Sequence, residues 1–179
     1  MDTKVIVIIA IVVLVVLWWI STNNWFERVM VKIDEAQGTI ESGLKMKFDK
    51  IQNVHKAAKQ VAEKEIQMYE NVTMYRSGMS MGEISEVNEN LNKCMAEINA
   101  VAESYPDFKA SAHYMELIST VNEVEDHMDA ARRIYNSNVS VFNQKLVSFP
   151  SSMVAKQKAL SKKDFFKASE REREGYVID

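Results

Sequence analysis

The 179-residue chain contains one cysteine, two prolines and five glycines, and these shortages limit what it can be. The single cysteine, Cys94, excludes an internal disulfide framework. No proline precedes Pro106, and no glycine-rich loop lies in that stretch, which favours long helices over a β fold. The net charge is only −3, with both signs interspersed, so the sequence has no basic footprint and no nucleic-acid partner is expected.

One long apolar run dominates the N-terminus. It covers residues 5–20 and stays free of charge as far as Phe26. A bilayer core needs about 20 mostly apolar residues as helix, so this run is long enough to cross a membrane. Three tryptophans, whose rings typically lie at headgroup depth, are found at its C-terminal edge: Trp18, Trp19 and Trp25. A cleaved signal peptide is the competing interpretation, but it would require a basic start and small residues at the exit.

The charges beside the run indicate an orientation. Lys4 lies before it, whereas Arg28 and Lys32 follow it. By the positive-inside rule, this slight excess favours a short N-terminus outside and a cytoplasmic domain after the anchor.

Apolar residues then recur with heptad spacing in three segments, which are separated by Gly78 and Pro106. The segments cover residues 33–75, 84–105 and 114–149, and the second is preceded by a capping box from Ser80 to Glu83. The predicted fold is all-α: an N-terminal transmembrane helix continues into an elongated antiparallel three- to four-helix bundle with coiled-coil-like packing. The expected order is up-down-up, with a polar tail helix near residues 153–173.

These segments predict three regions along the chain. Residues 1–26 form a short tail and the transmembrane anchor, and residues 27–150 form the helical bundle. Residues 151–179 form the polar tail helix and the C-terminus. In that last region, Phe165 and Phe166 have a basic setting; they either pack on the third helix or dock on anionic lipid.

The sequence Glu-Ser-Tyr-Pro-Asp-Phe-Lys-Ala-Ser at residues 103–111 resembles a signature of the LemA family of bacterial membrane proteins. The similarity extends over most of the chain after the anchor, through Glu125, residues 131–133, 135–136, Val139, Phe142-Asn143 and Phe149-Pro150. Residues 44–53 resemble another family stretch, with two departures. Lys47 stands where the family usually has arginine, and Gln52 where it usually has proline, which removes a helix kink.

The resemblance implies an N-terminal anchor in the bacterial plasma membrane, a short outer tail, a cytoplasmic helical bundle and no established enzymatic activity. One branch of the family is associated with building magnetosome membranes. We therefore expect a membrane-anchored scaffold or interaction protein with an unknown protein partner. The alternative is a membrane-organising or membrane-remodelling protein that acts as a homo-oligomer.

A candidate cluster follows from helix lengths. If the second helix folds back from a tip near Arg76, it reaches the level of Ile51. Asp49 would then lie near Lys109 and could pair with it, and Asn53 could cap the third helix. This cluster either locks the bundle register or binds a ligand or partner; its members are Asp49, Asn53, Tyr105, Pro106, Asp107 and Lys109.

The same helix lengths leave one apolar seam on the first helix without a predicted helix that packs against it. Its residues are Phe26, Met30, Ile33, Ile40 and Leu44. An apolar stripe without an internal partner usually indicates a partner chain, so these residues predict a homo-oligomer through parallel first helices. A kinked helix that folds back on itself is the alternative.

Catalytic and metal-binding patterns are missing from the sequence. It has no phosphate loop, no nucleophile elbow and no His-Glu-x-x-His pair. No catalytic residues, metal or cofactor are therefore expected, and Cys94 is interpreted as a small core residue.

Overall fold

A computed structural model describes residues 3–61 and 78–167 of the chain. Within these ranges the structure contains five helices and no strands, so the predicted all-α class is confirmed. The helices are α1 (Thr3–Val61), α2 (Met81–Glu103), α3 (Pro106–Lys109), α4 (Ala112–Val147) and α5 (Ser151–Gln157). The predicted seam between residues 62 and 75, the tip near Arg76 and the tail beyond residue 167 lie outside the described residues.

Helix α1 is one uninterrupted helix of 59 residues, or about 90 Å at 1.5 Å per residue. Its N-terminal part is exposed and reaches a mean hydropathy of 3.0 over 18 residues, long and apolar enough to cross a membrane. The helix continues without a break through Gln52, the position at which the family usually has a proline. The apolar run and the first bundle helix therefore belong to the same helix.

Helix α4 lies antiparallel to α1 along most of its length. Phe142, near the end of α4, contacts Phe26 of α1 edge to face, with ring centroids 5.8 Å apart. Toward the other end of the pair, Glu125 meets Lys47. Helix α4 has 36 residues, about 54 Å, so it covers α1 down to the region next to the apolar run.

This packing corrects the prediction that the α1 seam has no partner within the chain. Phe26, Ile33, Ile40 and Leu44 are at most 1% exposed, and Met30 is half-buried against the same core. The prediction failed because the up-down-up order directs the C-terminal half of the third helix away from the apolar run. That half instead runs toward the apolar run and covers the seam. The burial removes the reason for an oligomer through these residues.

Helix α2 runs parallel to α1 and antiparallel to α4, which corrects the predicted up-down-up order. The hydroxyl of Tyr114, in the first turn of α4, donates to Asn99 near the end of α2 at 2.8 Å. Lys47 of α1 contacts Asn88, nearer the start of α2. The order failed because it assumed a tight reversal at Gly78, whereas α2 begins midway along the bundle.

Local sequence signals set the ends of the helices. The predicted capping box is confirmed: Ser80 Oγ accepts from Glu83 N at 3.3 Å, and Glu83 Oε2 accepts from Ser80 N at 2.7 Å. Pro106 occupies the first turn of α3, where its missing N–H costs nothing. Ser111 then caps α4 by accepting from Tyr114 N at 3.2 Å.

The predicted tail helix is mostly wrong. Between residues 151 and 167, only Ser151–Gln157 is helical, and the chain turns at Ala159, whose φ of 51° does not continue a helix. Residues 160–167, which we name the C-terminal strap, then run without helix along α4. Phe166 is buried there, as its packing interpretation predicted, whereas Phe165 is exposed.

Candidate functional site

The most unusual group in the core is a lysine. Lys47 lies on the α1 face that packs against α2 and α4, and its side chain is fully buried. It occupies one of the few polar positions in an otherwise apolar heptad seam. A buried lysine is rare unless it is paired, so its surroundings decide its role. With Asn88, Asn92 and Glu125 it forms what we name the Lys47 cluster.

The cluster joins three helices through one ammonium group. Lys47 Nζ lies 2.8 Å from Asn88 Oδ1 and 2.6 Å from Glu125 Oε1, and it also donates to Asn92 Oδ1. An ammonium has three N–H donors, and these three acceptors account for all of them. The lysine therefore fixes α2 and α4 against the same point of α1.

Burial is the strongest influence on the charge of Lys47. It lowers the pKa of the ammonium below its usual value, while Glu125 and Asp129 raise it and Arg132 lowers it further. Glu125 is 35% exposed, so its carboxylate stays partly hydrated while it neutralises the lysine. A buried cation that is paired and fully hydrogen-bonded is best suited to fixing helix register.

The helices approach closely one turn before the lysine. A Cβ atom at Gly43 would lie 2.5 Å from Cγ of Met128, so only glycine fits there without a shift of the neighbour. A Cβ atom at Gly38, five residues earlier, would meet nothing within 4 Å. The close approach at Gly43 brings α4 near enough for Glu125 to reach Lys47.

A second set of polar contacts holds the C-terminal strap. The side-chain amide of Asn136 donates to Phe166 O at 3.0 Å and accepts from Phe166 N at 2.9 Å. Asn143 forms the same pair of bonds with Lys163, at 2.8 and 2.9 Å. Helix α4 thus binds the non-helical backbone of the strap through two asparagines, which lie seven residues apart on the same face.

Two further side chains of α4 contact the strap. The hydroxyl of Tyr135 donates to Asp164 O at 2.9 Å, and burial, followed by Asp164 and Asp34, raises the pKa of Tyr135 to about 12. The guanidinium of Arg132 lies 5.7 Å from the centroid of the Phe166 ring. Several of these residues belong to the stretches that resemble the family. In this structure they pack the strap against α4.

The predicted cluster around residue 105 is not assembled as expected. Asp49 and Asn53 are both exposed, and Lys109 pairs with Glu103 at 3.3 Å rather than with Asp49. Asp49 lies near the level of Glu125, which is 13 residues, or about 20 Å, beyond the start of α4. The predicted pair is therefore wrong, because the direction of α2 was wrong.

The remaining members of that cluster lie in one turn at the distal end. Tyr105 is half-buried, Pro106 and Asp107 are exposed in α3, and Lys109 ends that helix. Their use as a partner site stays a prediction. The sequence signal that was available for the Lys47 cluster was a polar residue on an apolar seam. Nothing in the periodicity identified Asn88 or Asn92 as its partners.

An open groove of about 370 Å³ lies between α1 and α4. It is lined by Lys32, Glu35, Ala36, Thr39, Ala131, Ile134 and Asn138. Within residues 3–61 and 78–167, no three histidine, cysteine or acidic side chains converge as metal ligands. Cys94 is buried, and burial followed by Glu97 raises the pKa of its thiol, which makes it a poor nucleophile.

Comparison with known proteins identifies what the chain is similar to. The LemA family model matches residues 36–179, which is most of the chain and nearly all of the bundle. A curated protein named Protein LemA, from Metamycoplasma hominis, is 32% identical over 107 residues. That match covers 57% of this chain and 49% of the relative, so this chain matches about half of the relative's length.

Proposed function

This chain belongs to the LemA family, and we propose that it is a membrane-anchored helical scaffold that acts through binding rather than catalysis. One observation carries the proposal: α1 passes from the apolar run into the core of the bundle as a single helix. The anchor and the binding domain then move as one body. Such a molecule holds a partner at a defined height and rotation relative to the bilayer.

The junction between anchor and bundle supports this rigidity. Thr22 is buried, and Phe26 lies one turn further along α1 in contact with Phe142. Packing therefore begins within one turn of Trp19, at the edge of the apolar run. A flexible linker would instead need an unpacked stretch between the spanning segment and the bundle, where glycine or proline would interrupt the helix.

The interior of the bundle supports binding over catalysis. The ammonium of Lys47 already has three acceptors, so it has no free donor for a substrate. The raised pKa values of Cys94 and Tyr135 keep both groups protonated and unreactive near neutral pH. Each of these groups stabilises the packing of the bundle.

Charge supports a binding surface at the end away from the anchor. At this end, residues 81–129, from α2 to the middle of α4, carry eleven acidic and two basic side chains, and residues 44–61 of α1 add five lysines and one aspartate, which leaves the end net acidic. A surface with this balance attracts basic protein segments and repels nucleic acid. We therefore place the unknown protein partner on this distal part of the bundle.

We also propose that the bundle lies on the cytoplasmic side of a bacterial plasma membrane. Arg28 and Lys32 follow the apolar run, and folding adds Lys145 and Lys158 beside Trp25 and Glu27. Basic groups next to the exit of a span are typical of the cytoplasmic face, where anionic lipids are found.

Site-specific photo-crosslinking in the native cell tests the scaffold. A photoreactive amino acid at Glu97, exposed on α2, should give a discrete adduct with a protein other than this chain. The same group at Val31, exposed on α1 next to the anchor, is the matched control. The adduct at Glu97 should disappear when residues 3–20 are deleted. Equal labelling at both positions, or adducts that persist without the anchor, would contradict a membrane-held scaffold.

The membrane-organising alternative predicts a different result with purified protein. Full-length chain reconstituted into liposomes should leave their shape unchanged if it is a scaffold. Native mass measurement of the same detergent-solubilised sample gives the number of copies. Tubulated vesicles together with a high-order oligomer would favour the alternative, and that oligomer would have to use a surface other than the buried Phe26–Leu44 seam.

A further inference from the structure

We propose that the turn between α4 and α5 is a second membrane contact, which lies in the headgroup layer beside the anchor. This inference rests on the proposed membrane anchoring and adds to it a lipid-binding surface. The surface consists of Val147, Phe149 and Met153, which we name the turn patch. Their side chains are 60%, 83% and 54% exposed, and Phe149 is the most exposed large apolar side chain in the described residues.

The position of the patch follows from contacts between α1 and the end of α4. Lys145 Nζ lies 4.8 Å from the centroid of the Trp25 ring, and Lys158 pairs with Glu27 just after α5. The turn patch therefore lies beside residues 25–27 of α1 or closer to the apolar run. Trp19 is six residues from Trp25, about 9 Å along the helix axis.

The contacts extend down to the rings that mark the edge of the span. Trp18 and Trp19 are half-buried and pack against the core, whereas the apolar residues from Val5 to Leu17 are exposed. If tryptophan rings lie at headgroup depth, the end of α4 must lie at or just above that depth. An exposed phenylalanine at this level is next to lipid in any upright arrangement.

The charge around the turn fits an anionic surface. Residues 21–28 and 140–163, which form this end of the molecule, contain six basic side chains and one acidic side chain, Glu27. The basic residues are Arg28, Lys145, Lys156, Lys158, Lys162 and Lys163. The whole chain has a net charge of −3, so positive charge is concentrated at this end.

Apolar side chains surrounded by lysines are the usual composition of a surface that lies on a bilayer. The rings and aliphatic groups enter the interface, while the ammonium groups remain at the level of the lipid phosphates. A protein partner would not need this surface to be aligned with the tryptophans of the anchor. The alignment therefore favours lipid as the occupant.

Spin-label accessibility tests the contact with the full-length chain in vesicles of mixed phosphatidylcholine and phosphatidylglycerol. Single cysteines are placed by Phe149→Cys and Met153→Cys in a Cys94→Ala background. The control is Ile134→Cys on α4, which at 57% is about as exposed as Met153 but lies 15 residues before Phe149, further from the membrane. At positions 149 and 153, collisions with oxygen should exceed collisions with a water-soluble nickel complex. At position 134 the order should be reversed.

Two results would overturn the inference. Nickel accessibility at 149 and 153 equal to that at 134 would place the turn in water. Low accessibility to both reagents would show that another copy of the chain covers it. A label introduced by Leu14→Cys separates this failure from failure of the anchor. Lipid-like accessibility at 14 with a water-like result at 149 and 153 would refute the turn patch alone, whereas a water-like result at 14 would refute the anchor and the turn patch together.

Discussion

The half of the bundle near the anchor and the half away from it are built in different ways. In the distal half, α2 packs on α1 and α4, and the three helices meet at the buried Lys47 cluster. In the anchor-proximal half there is no α2. There α5 and the C-terminal strap cover α1 and α4, and side-chain amides hold the strap by its backbone. The two coverings meet where Ser85 Oγ accepts from Lys167 N at 3.2 Å.

The difference explains why one half needs a buried charge. Three amphipathic helices with similar apolar seams can slide or exchange neighbours, and one buried polar group fixes their register. A strap without helical periodicity has no seam to align, so backbone hydrogen bonds to Asn136 and Asn143 fix its position instead. The surface charges follow the same division, with an acidic distal part and a basic end near the anchor.

The largest effect is expected from removing the lysine of the distal half. Lys47→Ala leaves the buried Asn88 and the carboxylate of Glu125 without their donor, and should cost about 3 kcal/mol of unfolding free energy. Lys47→Arg keeps the charge and the donors and should cost much less. Lys45→Ala, at an exposed position of α1, is the control and should be nearly neutral. Denaturant unfolding of the full chain in detergent micelles provides the measurement.

A loss of less than 0.5 kcal/mol for Lys47→Ala would contradict the account of the distal half. It would mean that the three helices find their register from apolar packing alone.

The proximal half should respond to loss of one amide. Asn136→Ala removes both hydrogen bonds to Phe166 and should cost about 2 kcal/mol, at about 1 kcal/mol for each bond. Amide exchange at residues 163–167 should accelerate while exchange in α2 stays unchanged. Asn122→Ala, at an exposed position on the same helix, is the matched control. Faster exchange throughout the bundle would show that the strap and the distal half unfold as one unit.

A pair of glycine substitutions tests the close approach between α1 and α4. Gly43→Ala places a methyl group against Met128 and should destabilise the protein by about 1 kcal/mol, because overpacking outweighs the gain in helix propensity. Gly38→Ala meets nothing and should stabilise it by about 1 kcal/mol. Thermal unfolding of both variants gives the comparison, and effects of the same sign would contradict the close approach.

The smallest effect is expected at the cap of α2, and it depends on pH. Hydrogen bonds from the hydroxyl and the backbone of Ser80 lower the pKa of Glu83. The stabilisation is present above the ordinary pKa of 4.5 and is lost as pH falls through the lower pKa of the folded state. Glu83→Gln should therefore flatten the pH dependence of the unfolding midpoint below pH 4.5. Glu86→Gln is the control, and an equal effect there would contradict the cap.

Local signals in the sequence predicted the helices well, because caps, prolines and heptad spacing act within a few residues. Gly78, Pro106 and Pro150 mark the breaks, and the Ser80 cap forms as expected. The direction of α2 was not predictable, because periodicity is the same for a helix that runs up or down. It depends on contacts of α2 with α1 and α4, such as Asn88 with Lys47, and these contacts join residues far apart in the sequence.

The polar features were harder to predict than the apolar ones. Periodicity marked Lys47 as an exception on a seam, but it did not show which polar side chains of α2 lie opposite. The strap was predicted as part of a polar tail helix near residues 153–173, where the periodicity is weak. Its conformation is determined by Asn136 and Asn143, which lie 20 or more residues earlier in the chain.

The central claim is that α4 of the same chain covers the α1 seam, and a disulfide tests it most directly. A Cβ atom added at Gly43 would lie 3.9 Å from Met128 Cβ, within the range that a disulfide requires. Gly43→Cys with Met128→Cys, in a Cys94→Ala background, should oxidise quantitatively in membranes to a monomer two hydrogens lighter. Covalent dimers between tagged and untagged copies, or two free thiols, would contradict it.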